Sequence, residues 1–346
     1  MPASARTFFR AALLAGALPV SAFAGGDLIL VPDSGSNRIW AFSAADGSIV
    51  TENFIAPDAF LTQPIQIIES GSGTFLITDE VRDALFEYSA QGVFLRELAG
   101  PKDGLDGAYG VCVRDGFAYV TTGLTGKKIW RVALDGLSAP TLFADWTAIG
   151  DPRGIQPYGD GFLVGNSGDD DLEILSATGV LSPTPFHDSD GVTGIDFPQQ
   201  IQPIADGGWM VSGFSRPSGI FLYDAEGFEY QSFQNQLVTI PRGAIFLDNG
   251  DLLYTGGTRV VRLNPLTQAT TDIVNQSTRS FRWLTRYTPA APCPGDLNND
   301  GVVSAADLAI LLGAWGTATA AADLNGDGTV AAPDLALLLG AWGDCP

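Results

Sequence analysis

A chain of 346 residues with 45% hydrophobic side chains can bury a large core, and its formal charge of −21 comes from 39 acidic residues against 18 basic ones. So few lysines and arginines argue against nucleic acid or an anionic membrane as a partner. A single histidine cannot build a His-rich metal centre.

At the N-terminus, Arg6 and Arg10 lead into the short apolar stretch Ala11 to Val20, and Ala22-Phe23-Ala24 is a small-x-small cleavage site. Residues 1–24 therefore read as a secretory signal peptide. The apolar stretch is broken by Pro19 and is too short for a bilayer span of about 20 residues. No later segment is a candidate span. The mature protein is expected to be secreted and associated with a cell surface, where disulfides persist.

From residue 25 to residue 287 the chain repeats itself. Leading strands begin at Pro64, Ala108, Pro152, Pro198, Pro241 and Ser280, in steps of 39 to 46 residues. Each is followed by a second strand ("DLILVPDSG", "TFLITDEVR", "FAYVTTGLT", "FLVGNSGDD", "GWMVSGFSR", "DLLYTGGTR") and a third that often carries an aromatic, such as "RIWAFSAADG" and "KIWRVALDG". Apolar residues alternate and β-branched types dominate, which predicts strands. Four short strands per repeat of this length is the period of a β-propeller blade. The first unit lacks a leading strand and the last supplies only one. Together they complete a sixth blade and close the ring without free edges. "DSGSNRIWAFSAADG" and "PRGIQPYGDGFLVGNSG" resemble the two halves of the NHL repeat. That resemblance implies a six-bladed propeller and leaves its function open among enzymes, ligand binders and docking platforms.

Within the repeat, Asp33, Asp79 and Asn166 share one column at the ends of the second strands, where Asp and Asn are expected to bond their own turn backbone. Leading strands line a propeller's channel, and their first residues include Gln66, Arg153, Gln199, Gln200, Arg242 and Arg282. Guanidinium groups suit carboxylates or phosphates, so these six are the candidate ligand-binding residues. The alternative is that each arginine pairs with a neighbouring acid, such as Asp151. His187 reads as a solvated loop residue and Cys112 as a small buried hydrophobe. No motif singles out a pair of catalytic carboxylates.

After a Pro-rich linker at 288–294, two near-copies of one stretch stand 27 residues apart, "DLNNDGVVSAADLAILLGAWG" and "DLNGDGTVAAPDLALLLGAWG". Asp296, Asn298, Asp300, Val302, Ser304 and Asp307 occupy positions 1, 3, 5, 7, 9 and 12 of a calcium loop, with Gly301 at the turn. Val302 offers its backbone carbonyl. The second copy gives Asp323, Asn325, Asp327, Thr329 and Asp334, with Gly328 at the turn, and Ala331 at position 9 cannot ligate through its side chain. Two Ca2+ ions are expected, the second held less tightly. Prolines forbid a helix before the first loop, which departs from the EF-hand. One helix follows each loop, with Leu308, Leu311, Leu312 and Trp315 on one and Leu335, Leu338, Leu339 and Trp342 on the other expected to pack the helices together.

A calcium loop followed by one helix, given twice and ending on Asp, resembles a type I dockerin over residues 295–346. The ending "GDCP" resembles the Gly-Cys type of surface anchor. In dockerins the two module ends lie side by side, so the resemblance implies a disulfide between Cys293 and Cys345. It also implies a cohesin-like partner. By the same resemblance, the positions expected to choose that partner are Ala305-Ala306 and Leu312-Gly313, then Ala332-Pro333 and Leu339-Gly340, more apolar than is usual in dockerins.

The fold expected is mainly β: a six-bladed propeller with N/C-terminal strand closure plus a small all-α calcium-binding dockerin. The function expected is a non-catalytic propeller, attached through its dockerin and binding a protein or glycan. The rival is a carbohydrate-active, lyase-like or lactonase-like enzyme working at the channel mouth.

Overall fold

The computed structural model describes residues 26–147, 150–234, 239–289, 293–298, 300–319 and 321–345. The expected signal peptide and linker residues 290–292 lie outside them. The chain divides into two compact units, one over Asp27–Tyr287 and one beginning at Thr288.

The first unit is six antiparallel sheets. Blade 1 begins with β1 (Leu28–Asp33), β2 (Arg38–Ser43) and β3 (Ile49–Ile55). Blade 2 is β4 (Pro64–Glu69), β5 (Phe75–Asp79), β6 (Ala84–Tyr88) and β7 (Phe94–Ala99). Blade 3 is β8 (Ala108–Arg114), β9 (Phe117–Thr122), β10 (Lys128–Ala133) and β11 (Thr141–Asp145). Blade 4 is β12 (Pro152–Tyr158), β13 (Gly161–Asn166) and β14 (Asp171–Leu175). Blade 5 is β15 (Pro198–Pro203), β16 (Trp209–Gly213), β17 (Gly219–Tyr223) and β18 (Glu229–Phe233). Blade 6 is β19 (Gly243–Phe246), β20 (Leu252–Gly256), β21 (Arg259–Leu263) and β22 (Thr270–Asn275). The ring closes where β23 (Thr285–Tyr287) pairs with β1, Leu28 opposite Tyr287 and Leu30 opposite Thr285. A further bridge joins Asp33 to Phe281.

Blade 4 departs from the four-strand expectation. Its outer edge holds only isolated bridges, Leu175 to Leu181 and Leu172 to His187. Pro183 and Pro185 fall where a fourth strand would run, and proline cannot donate to a ladder. His187 is therefore not the solvated residue expected. It is half-buried, its Nδ1 sits 3.0 Å from the Gly227 carbonyl, and its ring lies 4.6 Å from that of Tyr223.

Apolar clusters fill the seams between neighbouring blades. One joins Trp40, Phe42 and Phe281 of blade 1 to Leu253 and Val260 of blade 6. Hydroxyl clips reinforce the seams near the starts of the inner strands. Thr78 donates to the Tyr109 carbonyl, Thr121 to that of Arg153, Thr255 to that of Arg282, Ser167 to that of Pro198 and Ser34 to that of Pro64. The matching hydroxyl of Ser212, at the seam of blades 5 and 6, is buried and has no hydrogen-bond partner among the described residues.

The second unit holds α1 (Ala305–Gly313) and α2 (Ala332–Gly340). It is not wholly helical, because the two-residue strands β24 (Val302–Val303) and β25 (Gly343–Asp344) pair and tie the C-terminus to the first loop. Its core is small: Val303, Leu311, Ala322, Val330 and Leu338.

Candidate functional site

Both calcium-type loops fold in the same way. Asp296 Oδ2 accepts from Gly301 N at 2.8 Å and Asp300 Oδ1 from Val302 N at 3.0 Å. In the second copy, Asp323 Oδ2 accepts from Gly328 N at 2.7 Å and Asp327 Oδ1 from Thr329 N at 3.0 Å. Gly301 and Gly328 take φ of 87° and 92°, a region that glycine enters without strain. Asn298 and Asn325 each donate to the carboxylate two residues on, at 2.8 Å.

Asp307 and Asp334 are 0% exposed and lie under their own loop backbone. Burial would raise the Asp307 carboxyl, but backbone N–H groups of Ser304, Asn298 and Leu297 outweigh it and hold it below the usual range. Asp334 is also lowered, chiefly by Ala331 N–H. Ser304 caps α1 by accepting from Ala306 N at 3.2 Å. Ala331 gives α2 no side-chain cap.

Asp296, Asp300 and Asp307 bring ligand oxygens within 4.8 Å of one another. An all-oxygen donor set on a glycine-turned loop fits a hard divalent cation such as calcium.

Cys293 and Cys345 form a disulfide, Cα to Cα 5.7 Å, beside the ladder of β24 and β25. In the chain-entropy picture a cross-link over 52 residues contributes about 4 kcal/mol. The leucine stripes do not all pack as expected. Leu311 and Leu338 are fully buried, but Leu312 is 51% exposed, Trp315 45%, Leu339 51% and Trp342 49%. Each helix therefore shows solvent an apolar leucine, and an exposed tryptophan follows two residues beyond its end.

In the propeller, residues equivalent to the second position of each inner strand are Ile65, Tyr109, Arg153, Gln199, Arg242 and Arg282, as strand pairing fixes, the Gly243–Thr255 pair one residue on placing Arg242. They are differently engaged. Arg153 is 3% exposed, pairs with Asp151 at 3.0 Å, and lies over Tyr109 at 3.9 Å. Arg282 bonds Ser34 Oγ at 2.8 Å and reaches Glu80 at 3.7 Å. Glu80 also accepts from the Tyr109 hydroxyl at 2.5 Å. Burial pushes the Tyr109 phenol up to about 12.

Gln66 and Gln200 spend their side chains on neighbouring backbone. Gln66 accepts from Val111 N, and Gln200 bonds both the N–H and the carbonyl of Leu284. The column acids serve their turns: Asp79 accepts from Thr62, Gln63, Val81 and Arg82 N–H groups, and Asp33 from Gly35 and Ser280. Cys112 is buried, and burial raises its thiol far above the ordinary range. Toward the other ends of the inner strands lies a cavity of about 340 Å³, lined by Glu69, Cys112, Gln156, Gln202 and Arg286 among others, where Arg286 is paired with Asp27 and Asp248.

Residues 294–340 match the dockerin type I domain. No curated protein matches the chain. Among solved structures, the propeller is similar to a chain in the crystal structure of a nidogen/laminin complex, with TM-score 0.60 and 13% identity over 78% of this chain and 100% of that one. It is similar to a protein of unknown function from Bacteroides caccae, with TM-score 0.57 and 15% identity over 76% and 99%. It is also similar to a protein provisionally described as a gluconolactonase, with TM-score 0.53 and 17% identity over 75% and 88%. At such identities the likeness shows the fold alone. Among the described residues no helix is long and apolar enough to cross a membrane.

Proposed function

We propose that this is a secreted binding protein in which the dockerin attaches a non-catalytic propeller to a cohesin-like partner, at a cell surface or in a multiprotein complex. Two Ca2+ ions would hold the dockerin loops, the first through Asp296, Asn298, Asp300, Val302, Ser304 and Asp307, the second through Asp323, Asn325, Asp327, Thr329 and Asp334. Bound calcium would offset the clustered carboxylates and fix each loop against the start of its helix.

The observation that carries the reading is the duplicated loop geometry beside two solvent-facing apolar helix surfaces. Aromatic and aliphatic anchors left exposed on a small module are what a protein partner buries. The lactonase-like enzyme reading has the gluconolactonase likeness behind it. Against it, two acids at the mouth are already engaged, Asp151 by Arg153 and Leu124 N, and Glu80 by Tyr109, Gln63 and Arg282.

The test is capture of the full chain on immobilised cohesins, with calcium and with EDTA. Binding that EDTA abolishes supports attachment. Unchanged surface retention after deletion of residues 295–346 would reduce the module to a stabilising cap.

A further inference from the structure

The mouth ring is saturated on one side and open on the other. Ile65 aside, its members over blades 1, 3 and 4 are satisfied: Arg282 by Ser34 and Glu80, Tyr109 by Glu80, and Arg153 by Asp151. Arg242 and Gln199, on blades 6 and 5, are linked to each other by a single side-chain hydrogen bond among the described residues. Arg242 donates to Gln199 Oε1 over a long 3.5 Å, and among the described residues it has no carboxylate within ion-pair distance. Gln199 is 1% exposed and its Nε2 has no hydrogen-bond partner among the described residues. A flip of that amide would turn its N–H groups against a guanidinium, so Arg242 itself fixes the orientation. What remains unused at this point is a set of N–H donors carrying positive charge.

The surroundings sharpen the chemistry. Burial, and then the charges of Arg282 and Arg153, push Arg242 down to about 10 against a smaller opposing pull from Tyr109 and Glu80, so it stays protonated at neutral pH. An anion would offset that like charge. Two partly buried aromatic rings stand alongside: the Arg242 guanidinium lies over one face of Phe214 at 4.1 Å, and Phe197, 5.9 Å from Phe214, carries Arg153 over one face at 5.0 Å. Phe197 takes φ of +56°, which is uncommon for a bulky side chain and marks a backbone held there by its context. Few convergent polar groups beside flat apolar walls is the make-up of a small-ligand site.

We propose that Arg242 and Gln199, walled by Phe214 and Phe197, bind a carboxylate carried on a ring. Arg242 takes the carboxylate through its fork, Gln199 Nε2 donates to an oxygen beside it, and the parts of the two aromatic rings that the arginines leave uncovered flank the ring. Uronate sugars and aromatic acids share this chemistry. The inference deepens the reading of the propeller as a ligand binder and is independent of dockerin attachment.

Calorimetry on the full chain, at low salt and with EDTA present, tests it with galacturonate and glucuronate oligomers, benzoate, acetate and inorganic phosphate. Ring carboxylates should bind and acetate should bind at least tenfold more weakly. A uronate preference names an acidic glycan, and a benzoate preference an aromatic acid. Arg242→Gln should weaken binding at least tenfold with an unchanged melting temperature, and Phe214→Ala should weaken ring carboxylates severalfold while leaving acetate alone. No binding, tighter binding of phosphate or acetate, or unchanged affinity in the Arg242→Gln chain would overturn the proposal. Because calcium is absent throughout, none of those results bears on cohesin capture.

Discussion

At the start of β12, Asp151 and Arg153 are both buried, and Arg153 keeps 3% of its surface. Taking one ion out of such a pair leaves its partner charged and desolvated. Asp151→Ala should therefore cost about 3–5 kcal/mol in urea unfolding. Arg242→Gln removes a partly buried cation with no ion partner among the described residues and should cost less than about 1 kcal/mol. Equal losses would mean that burial, not pairing, governs these arginines. The residue types at the mouth were legible from the alignment of leading strands, and Asp151 stands only two residues from Arg153. The other partners were not. Glu80 and Ser34 follow the second strands of different blades, and only closure of the ring brings them to Arg282. Gln66 and Gln200 likewise look like channel donors until the neighbouring backbone is in place.

At the scale of the element, the two calcium-type loops differ at position 9. Ser304 supplies a hydroxyl there and caps α1, while Ala331 does neither for α2. Calorimetric titration of the full chain should show two calcium-binding events, the weaker assigned to the second loop, and Ala331→Ser should narrow the gap between them. A single event that persists in the Ala331→Ser chain would show that the second loop holds no ion. Alternating hydrophobics announced the strands, and the prolines of the 181–190 stretch carried the signal that blade 4 would lose its outer strand. Helical spacing, by contrast, could not say which leucines face inward. A module this small has a core with room for Leu311 and Leu338, while Leu312 and Leu339, one residue on, turn outward.

At the scale of the whole molecule, the near-identity of the two helices sets how a partner can be held. Trp315 with Leu312, and Trp342 with Leu339, present nearly the same apolar face twice. If either face can seat the partner, Trp315→Ala or Trp342→Ala alone should lower affinity for a cohesin by no more than about a few fold, because the intact copy still binds. Removing both should cost far more than the product of the singles, since buried aromatic anchors commonly contribute 2 kcal/mol or more each. Simple additivity would mean that one partner spans both tryptophans at once. Loss of binding from a single variant would assign the partner to one face. The ring carboxylate site should keep its affinity in all three chains, because its groups lie within the propeller unit and depend on none of the dockerin residues. Surface plasmon resonance on immobilised cohesin, with uronate calorimetry on the same preparations, separates what attaches this chain from what it carries.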